Sequence, residues 1–303
     1  LGDVYKRQAA VRPSKGRPMP EGRIVLAATP IGNLGDASAR LRELLAEADV
    51  IAAEDTRTAR RLCAGLGVTP TGRVVAHHEH NEAASTQGLL DQVRGGATVA
   101  VVSDAGMPTV SDPGYRLVAA AVSAGLPVTC APGPSAVTTA LALSGLPTDR
   151  FAFDGFVPRK DGERRRWLTS LLTEARTVVA FESPQRLADA LAVVVEVLGA
   201  ERPVCVAREL TKLHEEVVRG TAAEVHAWAA ERHAGEGIRG EIVLVIGPPA
   251  PGAEGETSEA DAVAEVAVLV ESGTRLKEAV AAVAGAHGMR SRELYQAVLA
   301  ARG

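Results

Sequence analysis

The residues of this chain that could do chemistry sit in short polar bursts after apolar, β-branched runs. The longest burst follows TVAVVSD (residues 98–104). There AGMPTVSDPG packs two Gly, two Pro, a Thr, a Ser and an Asp into ten residues, a composition only an irregular loop accommodates. Asp104 at such a strand end can accept hydrogen bonds, and the small residues around it let a ligand approach backbone N–H and C=O groups. The plain alternative is an ordinary strand-to-helix turn. EDTR (54–57) offers Glu54, Asp55 and Arg57, either for proton transfer or merely as the acids a helix N-terminus attracts. HHEHNE (77–82) sets His77, His78 and His80 beside Glu79 and Glu82. It lacks the helical i, i+4 spacing of H-E-x-x-H, so no metal is expected, and polar contacts at a cleft rim are. Glu182, Arg208, Glu209 and Lys212 also follow apolar runs. Arg159, Lys160, Arg164, Arg165 and Arg166 near Trp167 form the densest basic cluster, which is either a solvated helix face or a phosphate contact.

Five apolar runs have to position the first bursts. Strands are expected at 23–28, 50–53, 73–76, 98–103 and 127–130, with helices at about 39–48, 59–66, 83–94 and 115–124, and another beginning in APGPSAVTTALA. Alternation of this kind implies a mostly parallel sheet. The first turn, TPIGNLGD, has no G-x-G-x-x-G and carries Pro30, which disfavours a dinucleotide. Strands at 151–153, 177–181, 204–208, 215–218 and 241–246 and helices near 162–172, 184–198 and 222–230 make a second, mixed α/β half. Ser183 with Pro184 reads as an N-cap followed by proline at the first helical position, and Thr221 with Glu224 as a capping box. ARELTKLHEEVVRG joins two β-runs through a short turn, so neighbouring strands there can be antiparallel. Past the Pro/Gly-rich PPAPGAEGET, helices are expected at 259–271, 276–286 and 292–301. Arg275, Lys277, Arg290, Arg292 and Arg302 supply positive charge, as in a helix-turn-helix unit or a packing or dimerisation appendage. The expected division is a disordered extension (1–22), two α/β domains (23–131 and 132–249), a linker (250–258) and a helical tail (259–303).

With 303 residues, 46% of them hydrophobic and only 3% aromatic, the chain has material for two domains packed closely through Ala, Val, Leu and Gly. Its formal charge of -4 makes no global basic field, so a nucleic-acid partner would have to be met by local patches. Cys63, Cys130 and Cys205 are isolated in sequence, which fits a reducing compartment and argues against disulfides and a zinc knuckle. No apolar run is long enough to span a bilayer, so a soluble, cytoplasmic protein is expected.

ATPIGNLGD, EDTR, HEHNE, VSDAGMPTVSDPG, APGPSA, FESPQRL, ARELTKLHEE and GEIVLVIG occur in that order, and together they resemble the tetrapyrrole-methylase superfamily. Within it they are most similar to the bacterial small-subunit (16S) ribosomal RNA cytidine 2′-O-methyltransferase branch. SDAGMP stands where the porphyrin and corrin enzymes typically carry G-G-D-P, and the helical tail resembles that branch's C-terminal appendage. The resemblance implies two α/β domains with S-adenosylmethionine in the cleft between them, ribosomal RNA or the small ribosomal subunit as partner, and commonly a homodimer. Carried over position by position, it puts cofactor contacts on Pro30, Ser103, Asp104, Met107, Ser135, Ala136, Phe181, Leu210 and Gly240.

A sulfonium already activates its methyl group, so such a protein has to align a ribose 2′-oxygen with the S–CH₃ bond and help remove the hydroxyl proton. A carboxylate, a neutral His or a desolvated Lys could accept that proton. Glu54, Asp55, Arg57 and Lys212 are the catalytic candidates, with His78 and Glu182 as further cleft-edge bases. Two other classes stay open. A small-molecule methylase of the tetrapyrrole type would need a wide apolar trough and no basic rim. A non-catalytic RNA-binding or ribosome assembly factor would keep the basic rim and tail without cofactor affinity.

Overall fold

The computed structural model describes residues 22–78, 81–249, 259–271, 274–286 and 289–302. The extension expected at 1–22, apart from Gly22, lies outside the described residues, as do the linker at 250–258, Glu79 and His80. Strands β1 (Arg23–Ala27), β2 (Val50–Ala53), β3 (Arg73–Ala76), β4 (Thr98–Val102) and β5 (Val128–Ala131) form one sheet in the order β3-β2-β4-β1-β5. All four neighbouring pairs are parallel. Side chains alternate between its faces: Val25, Ala27, Ile51, Ala53, Ala100 and Val102 point to one, Ile24, Val50, Ala52, Val99 and Val101 to the other. Both faces are covered, which is why these strands read as unbroken apolar runs.

The helices explain the strand order. α1 (Ala39–Glu47) and α2 (Thr56–Gly65) bury Leu41, Leu45, Ala59 and Cys63 on the first face. On the second face, α3 (Glu82–Arg94) and α4 (Tyr115–Ser123) bury Leu89, Leu90, Val93, Leu117 and Ala121. From β1 the chain moves outward through β2 to β3 over one face, then returns through β4 to β5 over the other. Direction and face reverse together, so every crossover keeps the same hand. The adjacent strands β1 and β4 therefore send their following helices to opposite faces. That makes their carboxyl ends the switch point of the sheet, where ligands bind in open α/β folds.

Beyond α5 (Ala136–Ser144) come β6 (Phe151–Phe156), α6 (Asp161–Ser170), β7 (Thr177–Glu182), α7 (Leu187–Leu198), β8 (Pro203–Arg208), β9 (Glu216–Thr221), α8 (Ala222–Ala234) and β10 (Ile242–Ile246). The second sheet runs β6-β7-β10-β8-β9, and β8 and β9 are neighbours, as the short turn between them implies. The Thr221/Glu224 capping box is present in full. The cap expected at Ser183 is not. α7 begins at Leu187 behind Arg186, without a side-chain cap. The Ser183 hydroxyl instead accepts from Arg186 Nε at 2.9 Å, and Glu182 pairs with the Arg186 guanidinium, so residues 184–186 are drawn into a turn.

α9 (Glu259–Glu271), α10 (Leu276–Ala286) and α11 (Ser291–Arg302) share a core of Ala262, Val266, Ala279, Val280, Val283, Leu294 and Val298. The chain divides into two compact units, one of Leu1–Leu143, Ala207–Val217 and Gly240–Val243, the other of Ser144–Val206, Val218–Arg239 and Leu244–Gly303. A cut at 131/132 divides the chain once, whereas these units interleave. Among the described residues no helix is long and apolar enough to cross a membrane.

Candidate active site

The register of β2 and β4 builds the centre of the site. Ala53 pairs with Val102, so the residues that follow leave the sheet side by side. Glu54 N–H donates to the Val102 carbonyl at 3.3 Å. Beyond it the two strand ends exchange carboxylate bonds. Asp104 N–H donates to Glu54 Oε2 at 3.4 Å, and Asp55 N–H donates to Asp104 Oδ1 at 3.2 Å. Asp104 is thus tied to the backbone of β2's extension and not left without a partner. Burial holds the Glu54 carboxyl above its ordinary range, and the charges of Asp104 and Asp55 add to this against the opposing Asp104 N–H and His78. Desolvation also raises Asp104, with Asp55's charge adding to it.

Asp112, which the sequence reading passed over, belongs to the same cluster. Burial, with the charge of Glu54 and then of Asp104, pushes its carboxyl up to about 6 against a hydrogen bond from Ser103. Crowded carboxylates of this kind cannot all ionise freely, and such groups are suited to holding and passing a proton near neutral pH. Asp55 is the opposite case. The Arg57 side chain clamps it through Nε and Nη2 at 2.7–3.2 Å, and its carboxylate also caps α2 by accepting Arg57 N–H at 2.7 Å. The Arg57 hydrogen bonds hold its pKa far below the usual carboxylate range.

The loop that carries Asp112 is held in an unusual backbone path. Thr109 and Ser111 have φ of 75° and 61°, a left-handed conformation that non-glycine residues rarely adopt and that concentrates at functional sites. Its start is fixed by an isolated antiparallel bridge between Thr29 and Gly106. Its end is fixed by Glu82, a buried carboxylate whose Oε1 accepts the N–H groups of Gly114 at 2.9 Å and Arg116 at 3.0 Å. Glu82 therefore works on the helix α4 N-terminus. His77 is buried against Ser85 Oγ at 2.8 Å, and burial lowers its pKa. No group of three or more His, Cys, Asp or Glu side chains fit to hold a metal occurs among the described residues.

Three strand-end loops of the first sheet converge. A Cβ added at Gly106 would lie 3.3 Å from Ile31 Cγ2 and 3.8 Å from the Pro134 carbonyl, and one at Gly133 would lie 3.1 Å from Ala28 Cβ. Pro30, Ser103, Met107, Ser135 and Ala136 are all carried by these loops or by the first residue of α5. Around them the chain's backbone approaches itself through small residues. The segment 207–217 adds another loop to the same unit: Thr211 Oγ1 accepts Asn33 N–H at 3.1 Å, and a Cβ at Gly32 would overlap Lys212 Cγ. Leu210 is buried there. Gly240, at φ 95°, packs against Glu209 so closely that any side chain would overlap it.

Residues 23–226 match the family described as Tetrapyrrole (Corrin/Porphyrin) Methylases. A Mycobacterium tuberculosis protein named Ribosomal RNA small subunit methyltransferase I is 53% identical over 285 residues, 94% of this chain and 97% of that protein. An Escherichia coli O157:H7 protein of the same name is 40% identical over 283 residues, 93% of this chain and 96% of its own length. The chain belongs to the tetrapyrrole methylase family, in the branch of these relatives. The crystal structure of uroporphyrin-III C-methyltransferase from Thermus thermophilus complexed with S-adenyl homocysteine matches at a TM-score of 0.50 and 20% identity. It covers 75% of this chain and 97% of that one, and shows the shared fold.

Within this tetrapyrrole methylase, the remaining candidates separate by environment. Lys212 is held between Glu209 at 2.7 Å and Glu241 at 3.0 Å. Partial burial pulls its pKa down, but the two carboxylates outweigh that and raise it, so Lys212 is kept as a cation. Phe181 lies in the second unit, edge-on to Phe153 and Phe156. Behind it Glu182 is buried, with burial raising its pKa. Three of the five cations of the α6 cluster are paired: Arg164 and Arg165 bind Asp161, Arg165 also binds Glu196 through both guanidinium nitrogens, and Lys160 binds Glu163.

Proposed function

We propose that this chain transfers a methyl group from S-adenosylmethionine to the 2′-oxygen of a cytidine ribose in small-subunit ribosomal RNA. The observation that carries the reading is the cluster of Glu54, Asp104 and Asp112 at the switch point of a tetrapyrrole-methylase sheet, in a chain whose relatives at 40–53% identity are named as ribosomal RNA small subunit methyltransferases. The names of those relatives favour RNA over a tetrapyrrole-type small molecule. The product-related S-adenyl homocysteine in the Thermus structure supports the cofactor.

The loops fit such a cofactor in kind. Gly106 and Gly133 let the loops pack so closely on Ile31 and Ala28 that a Cβ would crowd them, and the Ser103 hydroxyl, backbone groups and an exposed Asp104 carboxylate supply hydrogen-bonding partners. Pro30, Ser103, Asp104, Met107, Ser135, Ala136, Leu210 and Gly240, all of the first unit, would hold it. S-Adenosylmethionine supplies the electrophilic methyl group. The task left to the chain is to orient the ribose and take its proton. Glu54 is the base of this reading, because its raised pKa makes it a better proton acceptor than Asp55, which Arg57 keeps ionised, or Lys212, which stays protonated. The charge of Asp104 adds to the burial that raises Glu54, and the charge of Glu54 in turn raises Asp112. A homodimer acting in the cytoplasm belongs to the same reading.

The test is to incubate purified full-length chain with small ribosomal subunits lacking the modification and S-adenosylmethionine, and then digest the RNA for nucleoside mass spectrometry. Appearance of 2′-O-methylcytidine is expected. Methylation on a base, or none on subunits or free RNA despite cofactor binding, overturns the reading. Sedimentation equilibrium of the same sample tests the dimer.

A further inference from the structure

We propose that the outward face of α2, built by Arg57, Arg60 and Arg61, holds the phosphate backbone of the RNA strand beside the reacting ribose. This rests on the RNA-methylation reading and extends it by naming where the partner lies. α2 turns Ala59 and Cys63 into the sheet, with Leu62 packed alongside. Positions three and four apart share a helix face, so Arg57, Arg60 and Arg61 fall together on the opposite side, and all three are exposed. The helix contains no acidic residue. Arg57 is clamped to Asp55 yet its side chain is 79% exposed. Arg60 and Arg61 make no ion pair with an acid among the described residues.

The contrast with α6 decides between the two basic helices. α6 opens with Asp161 and Glu163, and its Arg164 and Arg165 are engaged by carboxylates. The denser cluster in sequence thus has three of its five cations, Lys160, Arg164 and Arg165, held by carboxylates, and keeps only the separated, exposed Arg159 and Arg166, whereas α2 sets Arg60 and Arg61 side by side on a helix without an acid. Position points the same way. α2 starts directly after Glu54 and Asp55, so Arg60 and Arg61 lie about 6–8 Å along the helix axis from its first residue at roughly 1.5 Å per residue. That is about two steps of a stacked strand at about 3.4 Å each. A reacting end lined by Glu54, Asp104 and Asp112 repels a polyanion, and adjacent arginines offset that repulsion where it is strongest. Guanidinium groups also match phosphate geometry better than ammonium groups do.

The experiment compares full-length wild type, R60Q/R61Q and R165Q. Each is titrated with a single-stranded fragment of small-subunit ribosomal RNA at several salt concentrations, with thermal melting and S-adenosylmethionine titration alongside. R60Q/R61Q is expected to flatten the log–log salt slope by about 1.4, roughly 0.7 per lost contact. It should also raise KM for RNA several-fold, while melting temperature and cofactor affinity stay at wild-type values. R165Q, already engaged within the protein, should leave the slope unchanged and lower the melting temperature. An unchanged slope and KM in R60Q/R61Q, with wild type still binding and methylating RNA, overturns the α2 track and leaves the methylation reading standing. Unchanged binding to free RNA but weakened binding to whole subunits also overturns it, in favour of a ribosomal protein contact. A wild type that neither binds nor methylates RNA sinks both.

Discussion

At Asp112 a single proton links stability to pH. Its carboxyl sits at about 6 in the folded chain against 3.8 for the free side chain. A raised carboxyl binds its proton more tightly when folded, so that contribution is complete below about pH 3.8 and is lost as the pH rises through about 6. Asp112→Asn removes the loss. Denaturant unfolding near neutral pH should show the variant more stable than wild type by about 1–2 kcal/mol, after allowance for partial solvation, with the gap closing in acid. A gap that widens in acid would mean that the carboxylate is stabilised in the fold. Glu54→Gln should behave differently. If Glu54 takes the ribose proton, turnover falls by roughly 10²-fold or more, while calorimetric titration with S-adenosylmethionine changes little. Loss of cofactor binding in step with turnover would reduce Glu54 to a loop tie for Asp104.

At the scale of elements, the fixed ends of the Asp112 loop are the sensitive points. Glu82→Gln keeps the size of the side chain but weakens one buried and one half-buried bond to the N-terminus of α4. The loss should be about 1–3 kcal/mol of stability, together with a raised S-adenosylmethionine Kd because the loop is released. Wild-type cofactor affinity in a destabilised variant would show that Glu82 supports only the helix. The sequence made the strands legible, since 50–53 and 73–76 have the same bounds in the structure, because a strand buried on both faces leaves an apolar run with polar edges. It also exposed Glu54, Asp104 and the glycine-rich loops. Asp112 was harder to see, although VSDAGMPTVSD repeats its Ser-Asp pair. Its neighbours are set by the β2–β4 register and by two left-handed residues, neither of which has a local signature. Ser183 misled for a related reason. A good cap residue was taken by the Arg186 and Glu182 side chains, and local pattern does not show which donor reaches a hydroxyl first. For the α6 cluster the sequence left a solvated helix face and a phosphate contact both open, because charge density says nothing of Glu196, which is brought to Arg165 from α7.

At the scale of the whole molecule, the tail helices share a core of their own, and no residue of the carboxylate cluster lies beyond Gly240. A chain ending at Pro249 should therefore keep S-adenosylmethionine affinity within about twofold and a cooperative melt, since independent sites contribute additively. Lost cofactor binding in that truncation would make the tail part of the site's support. The interleaving of the two units matters while the protein is being made. The first unit holds Leu1–Leu143 but is finished only by Ala207–Val217 and Gly240–Val243. At about 5–20 residues per second, translation of the roughly seventy residues from Leu143 to the end of the Ala207–Val217 segment takes about 4–15 s. For that interval the nascent chain has its first sheet available but lacks the loop that brings Thr211 to Asn33 and Lys212 to Gly32. The last stitches of the amino-terminal unit are thus among the later residues to leave the ribosome.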